Sequence, residues 1–439
     1  MSRRAYRATG VNEVNWEQIA HGKEGLDVTL GVDVGKFDVL VVCRWADERF
    51  ERPWRVKNPR EIPTLVALAK RVQTDRKLVV AMESSGTYGD ALRQALSDNG
   101  IEIQRVGGKA AHDYAEVFDG VPSQHDGKDA AVVAELAAIG KGRPWPYEAA
   151  DSWEEELTYW VEDMVIQRQL VTFWQGRLEG LVARHWPEAF QVLKLSSGTL
   201  LRMLKRYGSP QALAADPQAP RQLARWGGAL LSAKKIDQLL AGARSSVGVR
   251  LGPWQQRQIQ ECAEKALAAR RQSNQAQRRL RQLAVGHQVL QAQGKVVGIP
   301  TACVLWVCTG DPRKFDSAAA YRKAMGLNLV ERSSGTYQGQ LRISKRGHAR
   351  TRQWLYFAAM RLVQKRGVRP WYEAKKARDA GDARRLLVAV MRKLAVALYH
   401  VGVRNEEFQP RRLFGRIGKH RGRGAQRAIA VAEPSKIQG

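Results

Sequence analysis

The sequence predicts a mixed α/β domain at its N-terminal end and a long, mostly helical remainder. Three observations carry this. Residues 27–57 hold three apolar, β-branched runs in succession, and strand and helix patterns then alternate to about residue 145. From Ser152 apolar residues recur every seven positions over four heptads. After Gly294 the pattern changes to shorter apolar-periodic helices separated by polar or basic stretches.

Taken in order, LDVTLGVDVG, FDVLVVCRW and RFERPWRV read as strands, with Gly35 and the polar Ala46–Glu48 stretch as punctuation. Asn58-Pro59-Arg60-Glu61 reads as a helix start, with Asn58 as cap, Pro59 in the first turn and Glu61 reaching back, for a helix running to about Val72. KLVVAME (77–83) is a short buried strand, and a helix after Gly86-Thr87 carries Ala91, Leu92, Ala95 and Leu96 on one face. IEIQRV (101–106) reads as a strand and DAAVVAELAAI (129–139) as a helix. The Pro-rich RPWPYEAAD (143–151) is a linker.

In the long helix from Ser152, Leu157, Met164, Val171 and Leu178 form one row of a coiled-coil seam. Trp160, Gln167, Trp174 and Leu181 form the second, with Gln167 as the polar position that sets register; an ordinary bundle helix is the alternative. Residues 188–250 are helical but broken at Gly208-Ser209-Pro210 and Asp216-Pro217. A second long helix over 254–292 carries Arg270, Arg271, Arg278, Arg279 and Arg281 and is suited to antiparallel pairing with the first. KVVGIPTACVLWVCTG (295–310) reads as a tight turn between helices, 311–330 as helical, 331–347 as a polar Ser/Gly-rich stretch, and 349–366 and 383–402 as helices. The tail after Gln409, RRLFGRIGKHRGRG, is basic and expected to order only against a polyanion.

Charge narrows the function. The 439 residues include 72 Lys and Arg against 43 Asp and Glu, a formal charge of +29 and a pI near 10.3. At 44% hydrophobic residues the chain can bury large cores, which excludes wholesale disorder. A positive excess of that size opposes compaction unless a polyanion neutralises it, so nucleic acid is the expected partner, with a very soluble basic enzyme as the alternative. Cys43, Cys262, Cys303 and Cys308 form no C-x-x-C pair, which argues against a zinc finger or disulfide framework and for a reducing cytosol. No uninterrupted apolar run approaches the roughly 18 residues a bilayer span needs, and the basic N-terminus lacks the apolar segment of a secretory signal, so neither membrane nor export is expected.

The carboxylates give the chemistry. Asp33 stands near the end of a strand in LGVDVGK, and Glu83 ends the strand KLVVAME. Asp126 and Asp129, three apart at the start of a helix, share one face. Four carboxylates from three elements repel strongly unless a divalent cation neutralises them. Two Mg2+ ions about 4 Å apart would do so and would act on the attacking and leaving oxygens of a phosphoryl transfer. The arrangement resembles the RNase H-like fold. The plainer alternative is that Asp33 terminates a strand, Glu83 is solvated and Asp129 caps its helix.

G-V-D-V-G-K, then M-E-S-S-G-T-Y, then D-G-K-D-A, followed much later by S-S-G and R-I-S-K-R-G-H-A-R, resemble the DEDD transposases of bacterial insertion sequences (the IS-one-ten and IS-eleven-eleven group). The resemblance covers most of residues 27–140 and 290–400 and does not reach the first 25 residues or the basic tail. It implies an α/β RNase H-like (RuvC-like) catalytic domain (27–145), a helical coiled-coil linker domain that dimerises (152–292) and a mostly α C-terminal transposase domain (293–408), which leaves an N-terminal extension (1–26) and a basic flexible tail (409–439) outside it. It implies Asp33, Glu83, Asp126 and Asp129 as ligands of two Mg2+ ions. It also implies Ser334, with Ser333 as the adjacent alternative, as a nucleophile that joins covalently to DNA.

The further implications are a structured, bridge-type guide RNA, donor and target DNA, a dimer or tetramer in which one subunit's acids meet another's serine, and a cytoplasmic bacterial protein that joins the nucleoid during transposition. Base pairing then reads sequence while the protein reads shape.

The chain departs from the family at His125-Asp126-Gly127-Lys128-Asp129, where a Thr usually precedes the first Asp; Lys128 is expected at solvent or a phosphate. Gly298-Ile299-Pro300-Thr301-Ala302 is similar to a helix-hairpin-helix turn, but Pro300 supplies no N–H to a phosphate.

Between Leu341 and Pro370 lie nine Lys or Arg and no acid, including Arg342, Lys345, Arg346, Arg350 and Arg352. A one-sign stretch is a polyanion footprint, and with Arg270, Arg271, Arg278 and Arg279 these are the expected nucleic-acid contacts. The rival readings are a metal-dependent RuvC-like nuclease or junction resolvase without a covalent step, and a non-catalytic basic RNA-binding protein.

Overall fold

The computed structural model describes residues 7–83, 86–119, 126–149, 151–331, 341–378 and 383–414. The chain divides into two compact units, residues 1–150 and 151–439.

The first unit is built on one sheet. Its strands are β1 (Thr9–Gly10), β2 (Val28–Val34), β3 (Asp38–Trp45), β4 (Trp54–Lys57), β5 (Leu78–Glu83), β6 (Glu102–Val106) and β7 (Arg143–Pro144), in the order β1-β4-β3-β2-β5-β6-β7. β2, β3 and β4 form an antiparallel meander, and β5 and β6 run parallel to β2 on its other side. This is the mixed α/β arrangement expected from three consecutive strands followed by strand–helix alternation, and it fits the RNase H-like fold that the resemblance implies.

The helices are α1 (Trp16–Ala20), α2 (Ile62–Asp75), α3 (Asp90–Asp98), α4 (Gly108–Asp119) and α5 (Asp126–Leu136). The period of two in each strand decides which helix covers which face. Val28, Leu30 and Val32 of β2, with Val39, Val41 and Cys43 of β3 and Leu78, Val80 and Met82 of β5, pack on α2 and α3. The alternate residues Leu40, Val42, Ala81 and Val106 face α4 and α5. α5 is therefore buried on nearly every side, Lys128 included at 1% exposure. That overturns the expectation that Lys128 faces solvent or a phosphate.

Residues 9–20 are not an appendage. β1 pairs with β4, Val11 and Trp16 enter the core, and Trp16 stacks on Trp45 at 5.5 Å with Arg76 over both rings. α2 starts three residues later than expected, at Ile62. Asn58 donates instead to the carbonyls of Gly35 and Tyr88, while Glu61 accepts from the Lys57 amide. α4 was not foreseen.

Arg44 of β3, 6% exposed, pairs with Glu135 of α5 and donates to the Trp45 carbonyl. Removing one partner strands a buried charge at a cost of about 3–5 kcal/mol. Glu135→Leu is therefore expected to lower the calorimetric Tm by about 10 °C. Replacing both residues by apolar ones is expected to recover most of that loss.

The second unit is helical. α6 (Ser152–His185) and α12 (Pro253–Leu283) are its long elements. Between them lie α7 (Glu188–Val192), α8 (Gly198–Tyr207), α9 (Pro210–Ala215), α10 (Ala219–Gly227) and α11 (Ala233–Arg244). After them come α13 (Gln288–Val297), α14 (Ile299–Thr309), α15 (Ala318–Ala324), the strand pair β8 (Leu329–Val330) and β9 (Arg342–Ile343), α16 (Ala349–Leu362), α17 (Arg369–Arg378), α18 (Ala383–Arg404) and α19 (Pro410–Leu413).

α6 and α12 run antiparallel, as Trp153 bonding the Leu283 carbonyl, Arg279 pairing with Glu156, and Lys265 lying over Trp174 require. Of the heptad residues Leu157, Met164 and Leu178 are fully buried, but the partner they meet is α12 of the same chain. One core joins the start of α6 to α13–α18, and another joins its end to α7–α11.

The second long helix ends at Leu283 rather than 292, because Gly286 takes φ +79° and His287 caps a new helix. Only 318–324 of the expected helix over 311–330 is α-helical. Residues 410–414 of the expected tail are ordered: Phe414 is buried against Trp371, and Lys393 donates to the Leu413 carbonyl. α18 is the one helix among the described residues long and apolar enough to cross a membrane, yet 56% of its most apolar window is buried in this core. Cys43, Cys262 and Cys303 are buried and, like Cys308, unbridged.

Candidate active site

β2 and β5 are parallel with Val32 opposite Met82, so the next residues, Asp33 and Glu83, emerge side by side at the same sheet edge. Both fall in the alternation that faces α5, because Thr29, Gly31 and Asp33 oppose the Val28–Leu30–Val32 core face. α5 lies unusually close to this face. A Cβ on Gly31 would stand 2.0 Å from the Ala130 carbonyl oxygen and 2.6 Å from the Ala134 amide nitrogen. Glycine at 31 thus brings the first turn of α5, with Asp126 and Asp129, over Asp33.

The acids act on one another electrostatically. Burial raises the Asp33 carboxyl to about 6, helped by the charges of Asp129, Asp126 and Glu83. Glu83 is raised too, by burial and then by Asp129. The four sequence-predicted acids are therefore brought together at one end of the sheet. Among the described residues no three of them approach a common ligating point, so convergence on one ion calls for side-chain movement. As a donor set, four carboxylates, two of them with raised pKa values, suit a hard divalent cation.

Gly108, at the start of α4, was not singled out from sequence. A Cβ there would lie 2.3 Å from the Glu83 Oε1 atom, so this glycine leaves room for the carboxylate. Gly108→Ala is expected to displace Glu83 and cut DNA processing by about 10- to 100-fold. The Tm is expected to change little, since the clash is with a side-chain end at the site's rim. A kcat and melting comparison checks this. A glycine inside a strand pattern is the signal for close backbone approach that Gly31 offered.

Ser333 and Ser334 lie outside the described residues, as does His125. The chain on either side of that stretch is held as a strand pair, Leu329 opposite Ile343 and Val330 opposite Arg342. Among the expected nucleic-acid residues, Arg271, Arg278, Arg342, Lys345 and Arg346 are exposed. Arg279 instead grips Glu156 through two bonds of 2.6 and 2.9 Å, and Arg350 pairs with Glu162, so these two help hold the helical unit together. Arg270 donates to the Ser196 carbonyl and Arg352 to that of Gly347.

A DEDD transposase family model of the IS110 type matches residues 30–187, which contain all four acids. A second, described as the transposase IS116/IS110/IS902 family, matches residues 287–375. Fold and site together define a DEDD transposase, an enzyme of DNA recombination whose acidic centre calls for a divalent cation. More particularly, the chain belongs to the IS110 family of insertion-sequence transposases. It is 23% identical over 393 residues to the 43.6 kDa protein of insertion element IS110 from Streptomyces coelicolor, a match covering 85% of this chain and 93% of that protein.

Proposed function

We propose that the chain is an RNA-guided DNA recombinase that cuts and rejoins strands through a covalent serine–DNA intermediate. The observation that carries the catalytic half is the gathering of Asp33, Glu83, Asp126 and Asp129 at one sheet end. These four are the proposed ligands of two Mg2+ ions. When bound, Mg2+ neutralises the carboxylates and polarises the scissile phosphate.

Ser334 is the proposed nucleophile. Its Oγ bonds to phosphorus as one bridging P–O ester bond breaks, and the freed deoxyribose hydroxyl leaves with the serine proton. A hydroxyl from another strand reverses the step and releases the serine, so phosphodiester energy is conserved. Arg342, Lys345 and Arg346, in the flanking basic stretch, are suited to balancing charge on the transferring phosphate. Arg270, Arg271 and Arg278 are suited to nucleic-acid backbone.

The strongly basic composition supports a second nucleic acid, a bridge-type guide RNA, beside donor and target DNA. The exposed Tyr159, Ile166 and Leu170 on α6 support a dimer or tetramer. A bacterial cytoplasm, with recruitment to the nucleoid during transposition, is the proposed setting.

Ser334→Ala is expected to abolish the protein–DNA adduct trapped on a denaturing gel and to block strand joining, while Ser333→Ala retains both. A Ser334→Ala protein that cleaves at full rate would establish the junction-nuclease reading instead. Sequencing the nucleic acid that travels with the purified protein tests guidance: one discrete RNA species is expected.

A further inference from the structure

Two adjoining cavities open on the helical unit where α6, α8, α12 and α16 meet. The larger is about 750 Å³ and the smaller about 490 Å³, and Ser196, Arg270 and Asn274 line both, so they form one groove. None of the residues lining either cavity is acidic, while four are arginines: Arg168, Arg202, Arg270 and Arg271. Arg270 and Arg202 each spend one N–H on a main-chain carbonyl, Ser196 and Trp226 respectively, which fixes each guanidinium and leaves its other donors for a ligand.

The walls have a second character. Arg168 lies over Trp354, 5.1 Å from its ring centroid. Phe173 and Phe357, both lining the larger cavity, are 56% and 44% exposed. Gln169, Gln277 and Gln353 stand beside them with amide groups that both donate and accept. Exposed rings invite stacking, amides read base edges, and arginines without neighbouring acids neutralise phosphates.

We propose that this groove binds unpaired nucleotides of an RNA, stacking a base on Phe173 or Phe357 and holding the flanking phosphates with Arg202, Arg270 and Arg271. Bases within a duplex are already stacked on one another and offer these rings no face. A structured RNA presents loop and bulge nucleotides with free faces, which selects RNA over double-stranded DNA. The assignment rests on the RNA-guided reading and says where on the chain the unpaired part of that RNA sits.

The test uses full-length protein and fluorescent probes of about twelve nucleotides: single-stranded RNA, single-stranded DNA of matching sequence, and duplex RNA. The double variant Phe173→Leu, Phe357→Leu is expected to weaken single-stranded RNA binding by about 10- to 100-fold at every salt concentration, with duplex RNA unchanged. Phe357→Trp, which restores a larger ring, is expected to bind at least as tightly as wild type. Arg202→Gln with Arg270→Gln is expected to lower the logarithmic salt slope by about one unit or more.

Wild-type affinity in the leucine variant would overturn the proposal, as would an equal loss of duplex binding. So would single-stranded DNA binding as tightly as RNA and weakening by the same factor, or a change of oligomeric state in light scattering, which would seat a second copy of the chain on the groove. RNA recovered equally with wild type and the leucine variant would refute the groove and leave RNA guidance standing. RNA recovered with neither would refute both.

Discussion

Asp33→Asn is expected to reduce DNA cleavage and strand joining by more than about a thousandfold while making the metal-free protein more stable. Both effects have one cause. Asp33 is half-buried beside three other carboxylates, and its carboxyl is raised from 3.8 to about 6. The folded protein therefore binds a proton at Asp33 more tightly than the unfolded chain does. Between those two pH values stability falls as pH rises, and above about 6 the full penalty of the ionised group is present.

After discounting for solvent screening, that penalty is on the order of 1–2 kcal/mol. Asparagine carries no charge and escapes it, so in chelator at pH 7 the variant should melt a few degrees higher than wild type. Added Mg2+ should raise the wild-type Tm and leave the variant's unchanged. Activity of the wild type should decline as pH drops below about 6, because protonated Asp33 holds a cation poorly. Melting curves with and without Mg2+, together with a cleavage assay across pH, check the set.

Gly31→Ala is expected to destabilise the protein by at least about 3 kcal/mol and to inactivate it. The added methyl would meet the Ala130 carbonyl oxygen at 2.0 Å, the Ala134 amide nitrogen at 2.6 Å and the Ala134 Cβ at 2.7 Å. Two of these are main-chain atoms of a helix buried on nearly every side, so no side-chain rotation relieves the clash and α5 must lift off the sheet. Asp126 and Asp129 would move with it, away from Asp33. A Tm lower by about 8 °C or more, with Mg2+-dependent stabilisation lost, is the expected melting result. A Gly31→Ala protein that melts and cleaves like wild type would show that the helix–strand contact positions nothing.

Strands β2 to β6 were legible as apolar, β-branched runs between turn residues, whereas β1 and β7, two residues each and the latter inside the Pro-rich stretch read as a linker, were not; the four acids were legible because each stands at the end of a strand or the start of a helix. Their convergence was not legible from any one element. It depends on Gly31 and on the register of β2 against β5, and both concern pairs of segments far apart in sequence. α4 escaped because its inward residues are small: Ala111 and Ala115 look unremarkable until they pack under Val132 and Val133. Residues 9–20 escaped for a related reason, since the place of Trp16 is set by Trp45, twenty-nine positions away. The heptads of α6 identified a helix that packs lengthwise on another, but periodicity does not say which chain supplies the partner. Here α12 does so for Leu157, Met164 and Leu178. Arg279 and Arg350 were read from composition as nucleic-acid contacts, and composition is blind to the Glu156 and Glu162 that each arginine meets in the fold.

The acidic centre is tested most directly by Mn2+ binding to full-length protein, followed by electron paramagnetic resonance at neutral pH. Wild type and Asp75→Asn, which alters an exposed acid at the end of α2, should bind the ion alike. Asp33→Asn and Asp129→Asn should each lose that binding. Equal Mn2+ binding by all four proteins would contradict the assignment of Asp33, Glu83, Asp126 and Asp129 as a metal-holding catalytic centre.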